Sequence, residues 1–221
     1  MNVTLKALGA LLTYPGPALR EALAEIAAVV EADGLLARKT RAAVRELADE
    51  LAAGDALETE ERYVGTFDRG RRTSLHLFEH VHGDSRDRGQ AMVDLAAVYE
   101  RAGFRLAANE LPDFLPAVLE YLSYRPLAEA REMLADCAHI LRAIGETLAS
   151  GGSRYAAVFA ALLEIAGEPG LRPGSVPPAE ERPLDEEWAE EPVVFGPGAA
   201  PTACGGGASF VSRGPAPGAR R

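Results

Sequence analysis

The chain has 221 residues, 48% apolar and 25% charged, with a formal net charge of −10. That length suits one ordinary domain, or one domain with an appendage, and is enough to bury a core without staples. The negative charge argues against nucleic acids and anionic membranes as partners, since both need a basic footprint, and it favours a basic or neutral one.

Lys6 and Lys39 are the two lysines, and every other basic residue apart from histidine is Arg, which reads as compositional bias. Cys137 and Cys204 are the two cysteines, far apart and without a CxxC. Neither a disulfide framework nor a thiolate metal cage is expected, and a reducing compartment fits. No stretch approaches the roughly 20 apolar residues of a membrane span. The run Ala7 to Leu12 has one charge ahead of it, Lys6, and Val3, Ala7, Leu8, Leu11 and Leu12 share a helical face. We read a first helix there rather than a signal peptide, and a cytoplasmic protein.

After a stop at Tyr14-Pro15-Gly16-Pro17, Leu19, Leu23, Ile26 and Val30 recur at helical steps, and Val44, Leu47 and Leu51 repeat the pattern up to about Gly54. Glu58 to Phe67 suits another helix, followed by a break at Asp68-Arg69-Gly70. Helix signals return from Ser74 to about His82, where Gly83 ends them. Asp84 or Ser85 then caps a helix with Met92, Leu95, Ala96 and Tyr99 on one face, closing at Gly103. Asp113 is placed to cap the next, which carries Leu115, Val118, Leu119 and Leu122 and tolerates Pro116 in its first turn.

Leu127, Ala130, Leu134, Cys137, Leu141, Ile144 and Leu148 alternate three- and four-residue steps, predicting a single amphipathic helix of roughly six turns with Cys137 buried in its seam. A last helix is expected from about Arg154 to Ala166. Strand alternation is missing before the tail, and Ala, Leu, Glu and Arg dominate, all good helix formers. The fold class is therefore all-α, one bundle of about 8–9 helices over residues 1–167.

From residue 168 the composition changes, with ten of the fifteen prolines in the last 54 residues. Such a segment cannot continue the bundle. Within this acidic Pro/Gly-rich tail, residues 184–195 form an island holding the single Trp188, with Val193 and Phe195, among acids. It reads either as a strap docking on its own bundle or as a short motif for a partner, with disorder expected elsewhere in the tail.

His76-Leu77-Phe78-Glu79-His80 matches the inverted zincin pattern H-x-x-E-H. On one helix, His76 and His80 would share a face as zinc ligands, with Glu79 as base. The five-residue match is short, no third ligand stands out, and no metal is expected. No phosphate loop and no G-x-S-x-G accompany it, so no catalytic residue is assigned. The mixed charges Glu79, Asp84, Arg86, Asp87 and Arg88 around Gly83 read as local ion pairs or as the rim of a binding surface. The loop Glu110-Leu111-Pro112-Asp113-Phe114-Leu115-Pro116 reads as a stiff hinge displaying carboxylates beside hydrophobes, suited to an amphipathic basic peptide.

Three stretches carry a resemblance. They are Tyr63-Val64-Gly65-Thr66-Phe67-Asp68, the run from Leu75 through Gly83-Asp84-Ser85-Arg86-Asp87-Arg88-Gly89-Gln90 to Met92, and Glu110 to Pro116 continuing through Val118-Leu119-Glu120-Tyr121-Leu122. Leu11 to Pro15 and Glu186 to Val193 fit the same pattern. Together they resemble the NarJ-type nitrate reductase assembly chaperones, in which many members have His where this chain has Phe114. The resemblance implies an all-helical chaperone that uses no cofactor of its own. It would bind the N-terminus of the apo catalytic (alpha) subunit of respiratory nitrate reductase until the molybdenum cofactor is inserted, before membrane assembly. Molybdenum cofactor biosynthesis proteins would be further partners. The TorD-type relatives share a similar loop, which leaves another molybdoenzyme as the alternative client.

Matching motifs places the peptide groove at Tyr63, Phe67, Asp68, Glu79, His80, Asp84, Arg86, Asp87, Arg88, Gln90, and the hinge Glu110, Leu111, Pro112, Asp113, Phe114 and Leu115. Trp188, Val193 and Phe195 would dock the tail.

Overall fold

The computed structural model of the protein describes residues 1–83, 87–106 and 110–172. The chain divides into two units, Met1–Ala179 and Glu180–Arg221, and all described residues lie in the first. The tail residues Trp188, Val193 and Phe195, and with them Cys204, fall outside the described residues, as do Asp84, Ser85 and Arg86.

The architecture is all-α. Among the described residues ten α-helices follow in order: α1 (Val3–Leu11), α2 (Pro17–Asp33), α3 (Arg38–Ala53), α4 (Ala56–Phe67), α5 (Leu77–His82), α6 (Asp87–Arg101), α7 (Leu115–Ser123), α8 (Leu127–Asp136), α9 (Ala138–Ser150) and α10 (Ala156–Ala166). A single 3-10 turn, Arg71–Thr73, precedes α5. None of these helices is long and apolar enough to cross a membrane.

The periodic leucines do what their spacing dictates. Leu19, Leu23, Ile26 and Val30 are the buried positions of α2, and Val44, Leu47 and Leu51 line the buried face of α3. Leu5, Leu8, Leu11 and Leu12 are fully buried, because α1 is packed by α7 on one side and α2 on another. The apolar helix α10 packs against α9, α8 and α3, burying Val158, Phe159, Leu162, Leu163 and Ile165. Asp55 accepts from the Leu57 and Glu58 N–H groups and so caps α4.

The long seam helix expected from Leu127 to Leu148 is two helices. The chain turns at Cys137, whose φ of −99° and ψ of 9° leave helical geometry. Its thiol donates back to the Met133 and Leu134 carbonyls at 3.4 and 3.5 Å, and the bend lets both α8 and α9 pack on α10. The seam survives because Leu134, Leu141, Ile144 and Leu148 stay buried on either side of the bend. Cys137 itself is half-buried rather than fully enclosed, and burial pushes its thiol up to about 11, which keeps it protonated and unreactive at neutral pH.

Helix ends at Ala166, but the chain beyond it still packs on the helices up to residue 172. Leu171 packs into the notch above Gly145, where an added Cβ would stand 2.6 Å from Leu171 Cδ2 and 2.8 Å from Phe159 Cβ. Arg142 donates to the carbonyls of Pro169 and Gly170, and the Arg172 N–H donates to Glu146 at 3.1 Å. Gly145 thus permits both the close approach of α9 to α10 and the return of the chain after α10.

Candidate partner-binding site

Two motif segments far apart in sequence are joined by a short antiparallel bridge, His76 opposite Phe114. The Leu77 N–H donates to the Asp113 carbonyl at 3.1 Å, and the Leu115 N–H donates to the Leu75 carbonyl at 2.8 Å. The sequence leads one to expect a helix beginning near Ser74. The bridge delays it, so α5 begins only at Leu77, with His76 extended in front of it.

Asp113 explains the junction. It was expected to cap the helix that follows it, but α7 takes Phe114 as its N-cap and draws no side-chain cap bond. The Asp113 carboxylate points to α5 instead, accepting from the Phe78 N–H at 3.1 Å and pairing with His76 Nδ1 at 3.3 Å. It therefore satisfies an orphan N–H at the start of a helix contributed by another part of the chain. Asp113 is fully buried, so a carboxylate expected on display is structural. Its hydrogen bond raises the His76 pKa above the ordinary 6.5, against an opposing effect of burial; the Asp113 and Glu79 charges raise it further, and Arg88 lowers it.

A second junction holds α6. Glu79 accepts from the Ser74 hydroxyl at 2.5 Å and from Arg88 Nη2 at 3.2 Å, so one carboxylate ties the chain before α5 to the first turns of α6. His80 Nε2 donates to the Ser74 carbonyl at 2.9 Å. At the far end of α6, the Tyr99 hydroxyl donates to the Pro112 carbonyl at 2.8 Å. The hinge, α5 and α6 thus form one polar-linked unit.

This geometry dissolves the zincin pattern. His76 lies outside the helix and faces Asp113, while His80 is committed to Ser74, so the shared helical face is not formed. Among the described residues no cluster of three His, Cys, Asp or Glu side chains could hold a metal ion.

The remaining expected site residues separate by burial. Asp68, Asp87, Gln90, Glu110 and Leu111 are exposed, and Glu79, His80, Arg88 and Phe114 are half-buried. Tyr63, Phe67, Pro112 and Leu115 join Asp113 inside. Tyr63 donates its hydroxyl to the Leu12 carbonyl at 2.8 Å and packs on Phe67, with ring centroids 5.0 Å apart. Phe67 in turn meets Tyr155 edge to face at 4.9 Å. These rings clamp α4 to the end of α1 and the start of α10. Burial raises the Tyr63 pKa well above that of a free phenol, and the nearby charges of Asp68, Tyr155 and Glu110 raise it further.

Apolar surface remains beside this unit. Val81 on α5, Val93 on α6 and Leu111 in the hinge are 53%, 62% and 45% exposed. Sequence reading missed a neighbouring feature, a half-open cleft of about 290 Å³ whose walls include Tyr99, Phe104, Tyr121 and Tyr124. The spacing of Tyr121 and Tyr124 on one helical face was its only trace in the sequence.

The chain matches the family described as nitrate reductase delta subunit over residues 33–161. It is 43% identical to the nitrate reductase molybdenum cofactor assembly chaperone NarJ of Escherichia coli K12, across 84% of this chain and 81% of that protein. It is 41% identical to the probable assembly chaperone NarW of the same strain, across 86% and 83%. The probable NarJ of Bacillus subtilis is 29% identical across 77% of this chain and 92% of its own length. The hydrogen bonds of Asp113, Glu79 and Tyr99 tie two of the three motif segments together, and the chain belongs to the nitrate reductase delta subunit family.

Proposed function

We propose that this chain is a system-specific chaperone for nitrate reductase. It binds the N-terminal segment of the apo catalytic subunit and holds that subunit for molybdenum cofactor insertion before membrane assembly. It acts by binding, not by catalysis, and works in the cytoplasm, where molybdenum cofactor biosynthesis proteins meet the same complex.

The observation that carries this reading is the unit of α5, α6 and the hinge. It carries the exposed apolar residues Val81, Val93 and Leu111 and the exposed acidic residues Asp87 and Glu110. An amphipathic segment that folds on binding needs apolar anchors and complementary charge. The net charge of −10 supports a basic client. The relatives' role in assembling a nitrate reductase supports the catalytic subunit as that client.

Calorimetry with a synthetic peptide of the N-terminus of the catalytic subunit from the same organism tests the proposal. One peptide per chain should bind, with a Kd on the order of micromolar or tighter. Leu111→Ser should weaken binding about tenfold while leaving the melting curve intact, since Leu111 is 45% exposed. An inert peptide, or equal affinity for an unrelated basic peptide, contradicts the assignment.

A further inference from the structure

The aromatic cleft lies between the end of α6, the chain at residues 104–106 and the outer face of α7. Tyr121 packs against Tyr99 at 4.6 Å and meets Phe104 nearly edge to face, at 5.5 Å and 87°. Phe104 also meets Tyr124 at 5.4 Å. Tyr99 and Tyr121 are buried and form the floor, whereas Tyr124 stands 46% exposed at the mouth. Rings held in this way present π-faces whose negative charge attracts cations.

Two of these rings already hold cations. Lys6 Nζ sits 5.8 Å from the Tyr124 centroid and 3.9 Å from Glu120. The Arg125 guanidinium sits 5.8 Å from the Tyr121 centroid and is bound by both carboxylate oxygens of Glu129, at 2.9 and 3.0 Å. In each case a ring and a carboxylate share one positive charge. The cleft wall holds Glu120, already paired with Lys6, and adds a further carboxylate, Glu110. An adjoining cleft of about 330 Å³ shares Tyr99 and Phe104 and adds Glu100. Across the two, Glu100, Glu110 and Glu120 stand with one lining cation, Arg105, and Lys6 is paired to Glu120.

We infer that this cleft receives one lysine or arginine side chain of the bound client, its charge set against the cleft's tyrosine rings and paired with Glu110. The inference rests on the client reading above and names the contact that would make the chaperone selective for a basic segment. An uncharged apolar side chain would fill the same volume but form no pair with Glu110.

The test is a double-mutant cycle read by calorimetry. One axis is the N-terminal peptide of the reductase catalytic subunit, native or with every Lys and Arg replaced by norleucine and citrulline. The other is the full chain, wild type or Tyr124→Leu/Glu110→Gln, both positions being exposed. Single Tyr124→Leu is the second variant, and circular dichroism checks that each is folded. The wild-type chain should prefer the native peptide by on the order of tenfold, and either variant should lose most of that preference. Three results overturn the inference. Equal binding of the two peptides to the wild type removes the basic contact. An undiminished preference in folded variants places that contact elsewhere. If neither peptide binds the wild type, the client reading falls as well.

Discussion

The core helices and the α5–α6 unit are held together by different forces. In α10, Val158, Phe159, Leu162, Leu163 and Ile165 are buried, and α1 is enclosed along most of its length. In α6, by contrast, Tyr99 is the one buried residue, and the helix packs chiefly on α5. Apolar burial drives the first region. The second depends on the hydrogen bonds of Asp113, Glu79 and Tyr99, reinforced by the edge of a few rings. Regions with little buried apolar area open at lower free energy than the core, and binding surfaces are drawn from them. The client surface proposed on α5, α6 and the hinge would therefore sit where rearrangement costs little.

That contrast can be broken from the core side first. Leu141→Ala, at a fully buried position on α9, should cost about 3 kcal/mol of global stability in urea unfolding, from lost burial and a cavity. Asp113→Asn should cost less, about 2 kcal/mol, because it keeps an acceptor for Phe78 but loses the charge opposite His76. Its effect should also be local: amides of Leu77 to His82 should exchange faster while those of α9 and α10 keep their protection. Equal loss of protection throughout would make the two regions one cooperative unit.

The smallest effect concerns pH. The folded pKa of His76 lies above 6.5, so the stabilisation from its pair with Asp113 is full below that value and is lost as pH rises through the raised one. His76→Gln should flatten this part of the stability profile above pH 6.5, by no more than about 1 kcal/mol. An identical slope in wild type and variant would remove the pair from the account.

The core was legible in the sequence because burial follows period. Leu19, Leu23, Ile26 and Val30 needed no tertiary information to be placed. The bend at Cys137 was not legible, since neither Gly nor Pro marks it and the seam continues across it. The site was half legible. Motif spacing picked out segments that the fold brings together, yet it could not tell that Asp113 turns inward to serve α5, nor that Tyr63 and Phe67 clamp α4 to its neighbours. Those are long-range pairings, and local pattern carries no record of them. The aromatic cleft was missed for the same reason, because Phe104 and Tyr124 meet only once α6 and α7 are folded together.

Hydrogen exchange with and without the N-terminal peptide of the reductase catalytic subunit bears most directly on the client surface. Added protection should concentrate in α5, α6 and residues 110–124, with α2 and α3 unchanged. Protection confined to α2 and α3, or none anywhere at saturating peptide, would contradict the placement of the client on α5, α6 and the hinge.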